Sequence, residues 1–198
     1  MVKKQIIVLG LKTFGMSIVK QLSKYNCEVL AIDKEMEKVQ EAAEYATHAI
    51  QVDLKNGEEI NELSLSDFDI AIITVDDIET SIMASLIFKE NGIKTVIVKA
   101  KNKVHKRILE KMEVDKIISP EEEMGVKLAK SIMNASVIDA INFSDEYSIL
   151  EIHALEKWIG KTLVSLNLRA EYGMNVLCIK NPNKEIDTYV INLWRKRY

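Results

Sequence analysis

The stretch VLGLKTFGMS, residues 8–17, ends an apolar run and leads into a helical pattern. A phosphate-binding turn of a dinucleotide-binding fold lies at such a junction and reads G-x-G-x-x-G. Gly10 and Gly15 occupy the places of the first and third glycines, and Lys12 occupies the place of the second. The first glycine turns the chain sharply, and the third lets the helix pack close to the sheet. The stretch therefore predicts a nucleotide-binding turn, or the same turn in a sheet that binds nothing.

Length and composition describe an ordinary globular chain of 198 residues, of which 47% are hydrophobic and 29% are charged. The formal net charge of -3 gives no electrostatic support for binding nucleic acid. No apolar run approaches the roughly 18 residues of a membrane span. The two cysteines, Cys27 and Cys178, match no metal-binding spacing. These features predict a soluble protein of the reducing cytoplasm.

Short apolar runs alternate with helical patterns along the first two-thirds of the chain. The runs are apolar at consecutive positions, as in strands that are buried on both faces. This alternation predicts an α/β fold, a Rossmann-like doubly wound parallel sheet with ligands outside the carboxyl ends of its strands. The predicted strands are QIIVLG (5–10), EVLAID (28–33), HAIQVD (48–53), DIAIITV (69–75), TVIVKA (95–100) and DKIISP (115–120).

Helical spacing also predicts which faces of the intervening helices are buried. The helix after the fourth strand is expected to bury Ile78, Ile82 and Leu86, and the helix after the fifth Val104, Ile108 and Met112.

A longer amphipathic pattern over residues 121–141 predicts a linker helix that bends near Asn134. We predict a nucleotide-binding domain over residues 1–134, which includes the start of this helix. Residues 135–198 are predicted to contain the end of this helix and a small α+β C-terminal lobe, which begins at about residue 143 and is too short to bury a convincing core alone.

The predicted lobe contains the strands YSILEIHAL (147–155) and MNVLCIK (174–180) on either side of a short helix that ends at Gly173. A Pro-Asn turn and an apolar, basic tail follow the second of these strands.

Asp33 and Lys12 are the two most informative side chains near the glycine turn. Asp33 ends the second strand, where a carboxylate accepts hydrogen bonds from ribose hydroxyls and repels a 2′-phosphate; alternatively, it is the N-cap of the next helix. The side chain of Lys12 obstructs the approach of a pyrophosphate, and a positive φ there would cost roughly 1–2 kcal/mol. Its ammonium can instead neutralise a phosphate. Lys12 therefore predicts weakened nucleotide binding with an altered phosphate pose.

Other charged residues follow the remaining strands. Asp53, Asp76, Asp77 and Glu121 fit either a divalent cation near bound phosphates or helix caps and first-turn partners of helix dipoles. Lys99 fits either the ligand rim or an edge lysine that faces a carboxylate.

Catalytic constellations are not found. The three histidines are scattered, no tyrosine is followed four positions later by lysine, and no substrate domain is large enough to close over a nicotinamide. The sequence therefore indicates a binding protein and not an enzyme.

Several stretches resemble the RCK family (regulators of potassium conductance), in particular the cytoplasmic subunits of Trk/Ktr potassium-uptake systems. They are GLKTFG, which is similar to the family's GLGRFG, and YATHAIQVD, VIVKAKN, KIISPEEEMGVKLAKSI, DEYSILEI and LNLRAEYGMNVLCIK. The resemblance implies an N-lobe that binds ATP, ADP or NAD(H), a linker helix and a C-lobe. It also implies subunits that dimerise, usually into an octameric ring, beneath an integral-membrane potassium-translocating subunit at the inner face of the membrane.

The resemblance also implies a ligand rim at the strand ends. Glu121 is similar to a carboxylate that joins a divalent cation, Mg²⁺ or Ca²⁺, at the nucleotide phosphates. Thr13 replaces a phosphate-facing arginine, and a hydroxyl cannot supply the bidentate contact of a guanidinium. Lys12 and Thr13 therefore predict altered discrimination between ATP and ADP. The candidate nucleotide-binding residues are Gly10, Lys12, Thr13, Phe14, Gly15, Asp33, Lys34, Asp53, Leu54, Thr74, Val75, Asp76, Lys99 and Glu121.

A second ligand site is implied by LVSLNLRAEYGMNVL, residues 163–177, which resembles the cyclic di-AMP motif of some family members. The alternative is a core helix with Arg169 in an ion pair. DTYVINLWRKRY, residues 187–198, matches no expected element, so the C-lobe is predicted to be truncated. The candidate residues of the second site are Leu163, Val164, Asn167, which replaces an acidic residue, Arg169, Asn175 and Val176.

Taken together, the sequence predicts a nucleotide-responsive regulatory subunit that gates a membrane potassium-uptake transporter. One alternative is a degenerate RCK scaffold that assembles with a paralogue without binding a ligand. The other is an NAD-dependent oxidoreductase, against which the missing acid/base pair argues.

Overall fold

The computed structural model describes residues 3–54, 65–133, 137–142, 147–179 and 194–195. The chain divides into two compact units, Met1–Pro120 and Glu121–Tyr198. All of the predicted linker helix, residues 121–141, therefore belongs to the second unit, and the domain boundary between residues 134 and 135 stays a prediction. In the described part of the chain, no helix is both long enough and apolar enough to cross a membrane.

The first unit is built on a six-stranded sheet whose neighbouring strands all pair in parallel. Its strands are β1 (Lys4–Leu9), β2 (Cys27–Asp33), β3 (His48–Gln51), β4 (Ile70–Ile73), β5 (Thr95–Lys99) and β6 (Lys116–Ile118). Its helices are α1 (Thr13–Leu22), α2 (Met36–Ala42), α3 (Ile78–Glu90) and α4 (Lys103–Lys111). The strand order β3-β2-β1-β4-β5-β6 reverses between β1 and β4, which is the switch point where open α/β sheets bind ligands. The predicted doubly wound fold is confirmed.

Strand β1 shows why the strand sequences are apolar at consecutive positions. Ile7 and Leu9 belong to the hydrophobic core on one face of the sheet, and Ile6 and Val8 belong to the core on the other face. Alternate residues of a strand point to opposite faces, so a sheet covered by helices on both sides needs apolar residues throughout.

The buried faces of α3 and α4 differ from the predicted apolar stripes. In α3 the fully buried residues are the small Ser81, Ala84 and Ser85 together with Phe88. In α4 the buried residues are His105 and Leu109, whereas Val104 is 66% exposed. In α3 the stripe prediction was wrong because small side chains, which allow a helix to approach the sheet closely, do not register as strongly hydrophobic. In α4 it was wrong for Val104, whereas Met112 packs against the core as predicted.

The second unit contains α5 (Pro120–Met133) except for its first residue, and an antiparallel sheet of β7 (Val137–Asn142), β8 (Tyr147–Ile152) and β9 (Trp194–Arg195). The strand predicted at the start of this lobe is confirmed by β8. The helix predicted over residues 121–141 is wrong for residues 137–141, which belong to β7 and whose β-branched members favour a strand that pairs with β8.

Two short helices, α6 (Leu163–Leu166) and α7 (Leu168–Tyr172), replace the single predicted helix. The break falls at Asn167, which adopts the left-handed conformation with φ of 42°. The strand prediction for MNVLCIK is wrong for residues 174–179, which have no strand pairing. The predicted Pro-Asn turn lies outside the described residues.

A substitution at Gly15 tests how tightly α1 packs on the turn after β1. A Cβ atom at Gly15 would lie 1.8 Å from the Gly10 carbonyl oxygen and 2.6 Å from Thr74 Oγ1. We expect Gly15→Ala to lower the free energy of unfolding in urea by about 1–3 kcal/mol or more, because backbone must move. Gly125→Ala in α5 is the matched control: nothing lies within 4 Å of its added Cβ, and alanine favours a helix by roughly 0.5–1 kcal/mol. Unchanged stability of Gly15→Ala would contradict the close packing.

Candidate functional site

A cavity of about 160 Å³ lies at the carboxyl ends of β1, β2, β3 and β4, at the switch point of the sheet. A larger and more open depression, of about 430 Å³, lies at the opposite edge, where the strands begin. The smaller cavity is the candidate site because parallel sheets bind ligands beyond the carboxyl ends of their strands. It is lined by the predicted residues Gly10, Lys12, Asp33, Lys34, Asp53, Leu54, Thr74, Val75 and Asp76.

Five further lining residues, Leu9, Glu35, Val52, Asp77 and Thr80, were not among the predicted nucleotide-binding residues, although Asp77 was considered as a cation ligand or a helix cap. Four of them are sequence neighbours of predicted residues. Thr80 follows Asp77 by three positions. This is the spacing of a helix N-cap, and it could have placed Thr80 beside the predicted strand end.

The side chain of Thr74 holds the turn after β1 in place. Gly10 has φ of 92°, and a Cβ atom there would lie 2.8 Å from the Val75 nitrogen, so only glycine fits. The Thr74 hydroxyl is within hydrogen-bond distance of the Gly10 carbonyl oxygen, at 2.6 Å, and of the Leu9 carbonyl oxygen, at 3.1 Å. Thr74 is 3% exposed. Its hydroxyl therefore positions the turn, although the residue also lines the cavity.

Asp33 joins the ends of β1 and β2. Its Oδ2 accepts a hydrogen bond from the Leu11 amide, and its Oδ1 accepts one from the Glu35 amide at 2.9 Å. The alternative that Asp33 caps α2 is wrong, because Glu35 is the N-cap residue of that helix. Each carboxylate oxygen has a second lone pair, so Asp33 can hold the turn and still accept a ribose hydroxyl.

Lys12 is the residue immediately before α1. It has φ of -68° and ψ of -175°, an extended conformation, so the positive φ considered for this position is wrong and the lysine is not strained. Its ammonium donates a hydrogen bond to Asp76 Oδ2 at 3.1 Å. This hydrogen bond raises the pKa of Lys12 above its ordinary value of 10.5.

Asp76 lies between two lysines. Lys99 Nζ contacts Asp76 Oδ1 at 2.9 Å, and the Lys99 side chain is only 10% exposed. The hydrogen bond from Lys99, followed by the one from Lys12, lowers the pKa of Asp76 below its ordinary value of 3.8. Lys99 thus matches the alternative of an edge lysine that faces a carboxylate.

Acidic side chains outnumber lysines around the cavity: Asp33, Glu35, Asp53, Asp76 and Asp77 against Lys12 and Lys34. Of these, Asp77 caps α3, because its Oδ2 accepts the Thr80 amide at 2.9 Å, as the cap alternative predicted. A phosphate at this edge would therefore depend on the two lysines and on the N-terminus of α1, whose dipole attracts anions.

The remaining candidate residues do not line the cavity. Thr13, Phe14 and Gly15 form the first turn of α1. Glu121 lies in the first turn of α5, in the second unit, and its role as a metal ligand stays a prediction. Across the described ranges, no three His, Cys, Asp or Glu side chains are grouped so that they could hold a metal ion.

The residues predicted to bind cyclic di-AMP lie in α6 and α7, between these helices and directly after them. Val164 is 90% exposed, and Arg169 is exposed with no ion pair to another described residue. The alternative of a core helix with Arg169 in an ion pair is wrong for the described residues, because α6 buries no residue and α7 buries only Leu168. The second site itself stays a prediction.

Comparison with known proteins identifies relatives for most of the chain. Residues 6–120 match the TrkA-N domain. Ktr system potassium uptake protein A of Bacillus subtilis (strain 168) is 42% identical over 179 residues, which are 90% of this chain and 81% of that protein. Ktr system potassium uptake protein C of the same organism is 40% identical over 185 residues, which are 93% of this chain and 83% of that protein.

Among solved structures, the GsuK channel bound to NAD matches this chain with a TM-score of 0.67 and a sequence identity of 11%. The match covers 98% of this chain and 38% of the channel chain. At this identity the likeness shows the shared fold alone.

Thr74 provides a test of how the turn is held. Thr74→Val keeps the side-chain shape but removes the donor to the buried Gly10 carbonyl. We expect it to lower the free energy of unfolding by about 1–3 kcal/mol, the usual cost of an unsatisfied buried polar group. Thr74→Ser, which keeps the hydroxyl, should recover most of this loss in urea unfolding. If the valine variant were as stable as the wild type, Thr74 would not hold the turn.

Proposed function

The chain belongs to the TrkA-N family, and from that premise we propose that it is a nucleotide-responsive regulatory subunit of a membrane potassium-uptake system. The observation that supports this best is the cavity at the switch point, where the Gly10 turn, Asp33 and the N-terminus of α1 meet. The two relatives are named as potassium-uptake proteins and align with most of this chain.

The proposed ligand is an adenine nucleotide, ATP or ADP, or NAD(H). A carboxylate at the end of β2 suits ribose hydroxyls, and a helix N-terminus that follows a glycine turn suits phosphates. The GsuK channel, which shares this fold, has been solved with NAD bound. Lys12 supplies a cation beside the α1 N-terminus. A divalent cation at Glu121 and cyclic di-AMP at the second unit complete the proposed ligand set.

The chain is proposed to act as a homo-oligomer, a dimer or an octameric ring, at the cytoplasmic face of the membrane. The apolar face of α5 supports self-association, since Met124, Leu128 and Ile132 are 62%, 59% and 70% exposed. A bound nucleotide would favour one arrangement of paired subunits. The membrane partner's open population would then shift by the ligand's differential affinity for the two arrangements. No catalysis is proposed.

A ligand-free scaffold is the second candidate function. The excess of acidic residues around the cavity favours it, because carboxylates repel a polyphosphate. Direct binding distinguishes the two candidates.

We expect the purified protein to bind labelled ATP in the micromolar range, with ADP and NADH as competitors. Asp33→Asn should weaken binding roughly tenfold to a hundredfold, because a hydrogen bond to a charged group contributes about 1.5–3 kcal/mol. Asp69→Asn is the matched control: Asp69 also accepts a backbone amide, from Gln5 at 3.1 Å, but lines the depression at the opposite edge.

The assay is run with and without magnesium, and cyclic di-AMP is added last. Cyclic di-AMP that binds without displacing ATP would support the separate site in the second unit. A folded protein that binds no nucleotide would favour the scaffold.

A further inference from the structure

Three charged side chains connect the ends of β1, β4 and β5 at the edge of the cavity. Asp76 Oδ1 contacts Lys99 Nζ at 2.9 Å, and Asp76 Oδ2 contacts Lys12 Nζ at 3.1 Å. Lys99 is nearly buried, so it fixes the carboxylate from the protein side. The second carboxylate oxygen then faces Lys12, whose side chain is 63% exposed.

Lys12 is also the residue that leads into the N-terminus of α1. Its side chain makes no capping hydrogen bond, and the first bond of the helix runs from the Met16 amide to the Lys12 carbonyl at 2.8 Å. The preceding amides of the first turn have no acceptor within the helix, which is the arrangement that attracts a phosphate. A phosphate bound there would lie beside a lysine whose ammonium already contacts a carboxylate.

Asp76 and such a phosphate would compete for the same cation. The contact of Lys12 with Asp76 is exposed to solvent, and exposed ion pairs are weak, so a phosphate can replace the carboxylate. The Asp76 charge would in addition repel the phosphate. The contact with Lys99 keeps Asp76 from moving away.

We infer that Asp76 is an internal competitor of the nucleotide phosphate: it binds the Lys12 ammonium and thereby lowers the affinity of the site. The inference rests on the proposed function, in that a nucleotide binds in this cavity. It distinguishes Asp76 from a residue that contacts the ligand favourably, because removing the carboxylate strengthens binding instead of weakening it.

Asp76→Asn is the direct test. Asparagine keeps an oxygen that can accept from Lys99, and its amide nitrogen cannot accept from Lys12. Without the competitor, we expect ATP and inorganic tripolyphosphate to bind about three- to tenfold more tightly, as measured by isothermal titration calorimetry in a chelating buffer. Thermal unfolding checks that the variant is folded, and Asp76→Ser serves as a second variant if it is not.

Two controls separate release of Lys12 from a general loss of negative charge. Lys12→Met combined with Asp76→Asn should show no gain over Lys12→Met alone, because the gain requires the ammonium. Asp53→Asn removes one charge from the same cavity without changing the contact between Lys12 and Asp76. It should therefore strengthen binding less than Asp76→Asn does.

Weaker or unchanged binding of both anions by Asp76→Asn would overturn the inference, as would an equal gain in Asp53→Asn or a gain that persists without Lys12. Tripolyphosphate separates this inference from the proposed function. If tripolyphosphate follows the expected pattern while no nucleotide binds, the competition of Asp76 with a phosphate for Lys12 stands, and nucleotide regulation falls. If ATP binds the wild type and the Asp76 variant equally, nucleotide binding stands and the inference falls.

Discussion

The candidate site at the carboxyl ends of the strands depends on the close contact between Gly15 and the carbonyl of Gly10. The two groups are so close that a Cβ atom at Gly15 would lie 1.8 Å from that oxygen. The same oxygen accepts the Thr74 hydroxyl at 2.6 Å, so one carbonyl joins the turn after β1, the helix α1 and the end of β4. This places the N-terminus of α1 beside the loop that contains Asp76, and Lys12 can therefore reach that carboxylate.

Electrostatics then decide what this edge can bind. A glycine-only turn presents bare backbone to a pyrophosphate, whereas this turn presents an ammonium that is already paired. Lys12 needs no left-handed conformation, so its presence costs no backbone strain. Lys12 therefore affects the binding of a phosphate through its charge and through the space that its side chain occupies. The carboxylates around the cavity oppose a polyphosphate, and the balance between them and the lysines sets the affinity.

The sequence was sufficient to predict the parallel sheet and a turn at the carboxyl end of its first strand, because apolar strands and the glycine turn are local signals. Gly10 and Gly15 were found from the spacing of the glycines, and Asp33 from the end of the second strand. The role of Thr74 could not be predicted, since its partner Gly10 is 64 residues away along the chain. The pairing of Lys12 with Asp76 spans the same separation.

Other errors arose where packing overrides pattern. The small residues of α3 read as polar, yet they form the face that meets the sheet. The Val137–Asn142 segment continues a helical pattern, yet it pairs with β8 as a strand. In both cases the deciding partner lies on a different element, and periodicity within one segment does not contain that information.

We propose that a nucleotide bound at the carboxyl ends of β1 and β4 regulates potassium transport by a membrane partner. It is tested most directly by potassium flux into proteoliposomes that contain the membrane potassium-uptake protein, with and without this chain, in saturating ATP and then in saturating ADP. We expect a flux that requires the chain and differs between the two nucleotides, and we expect Asp33→Asn to diminish this difference. A chain-dependent flux that is the same in ATP, in ADP and without nucleotide would contradict it.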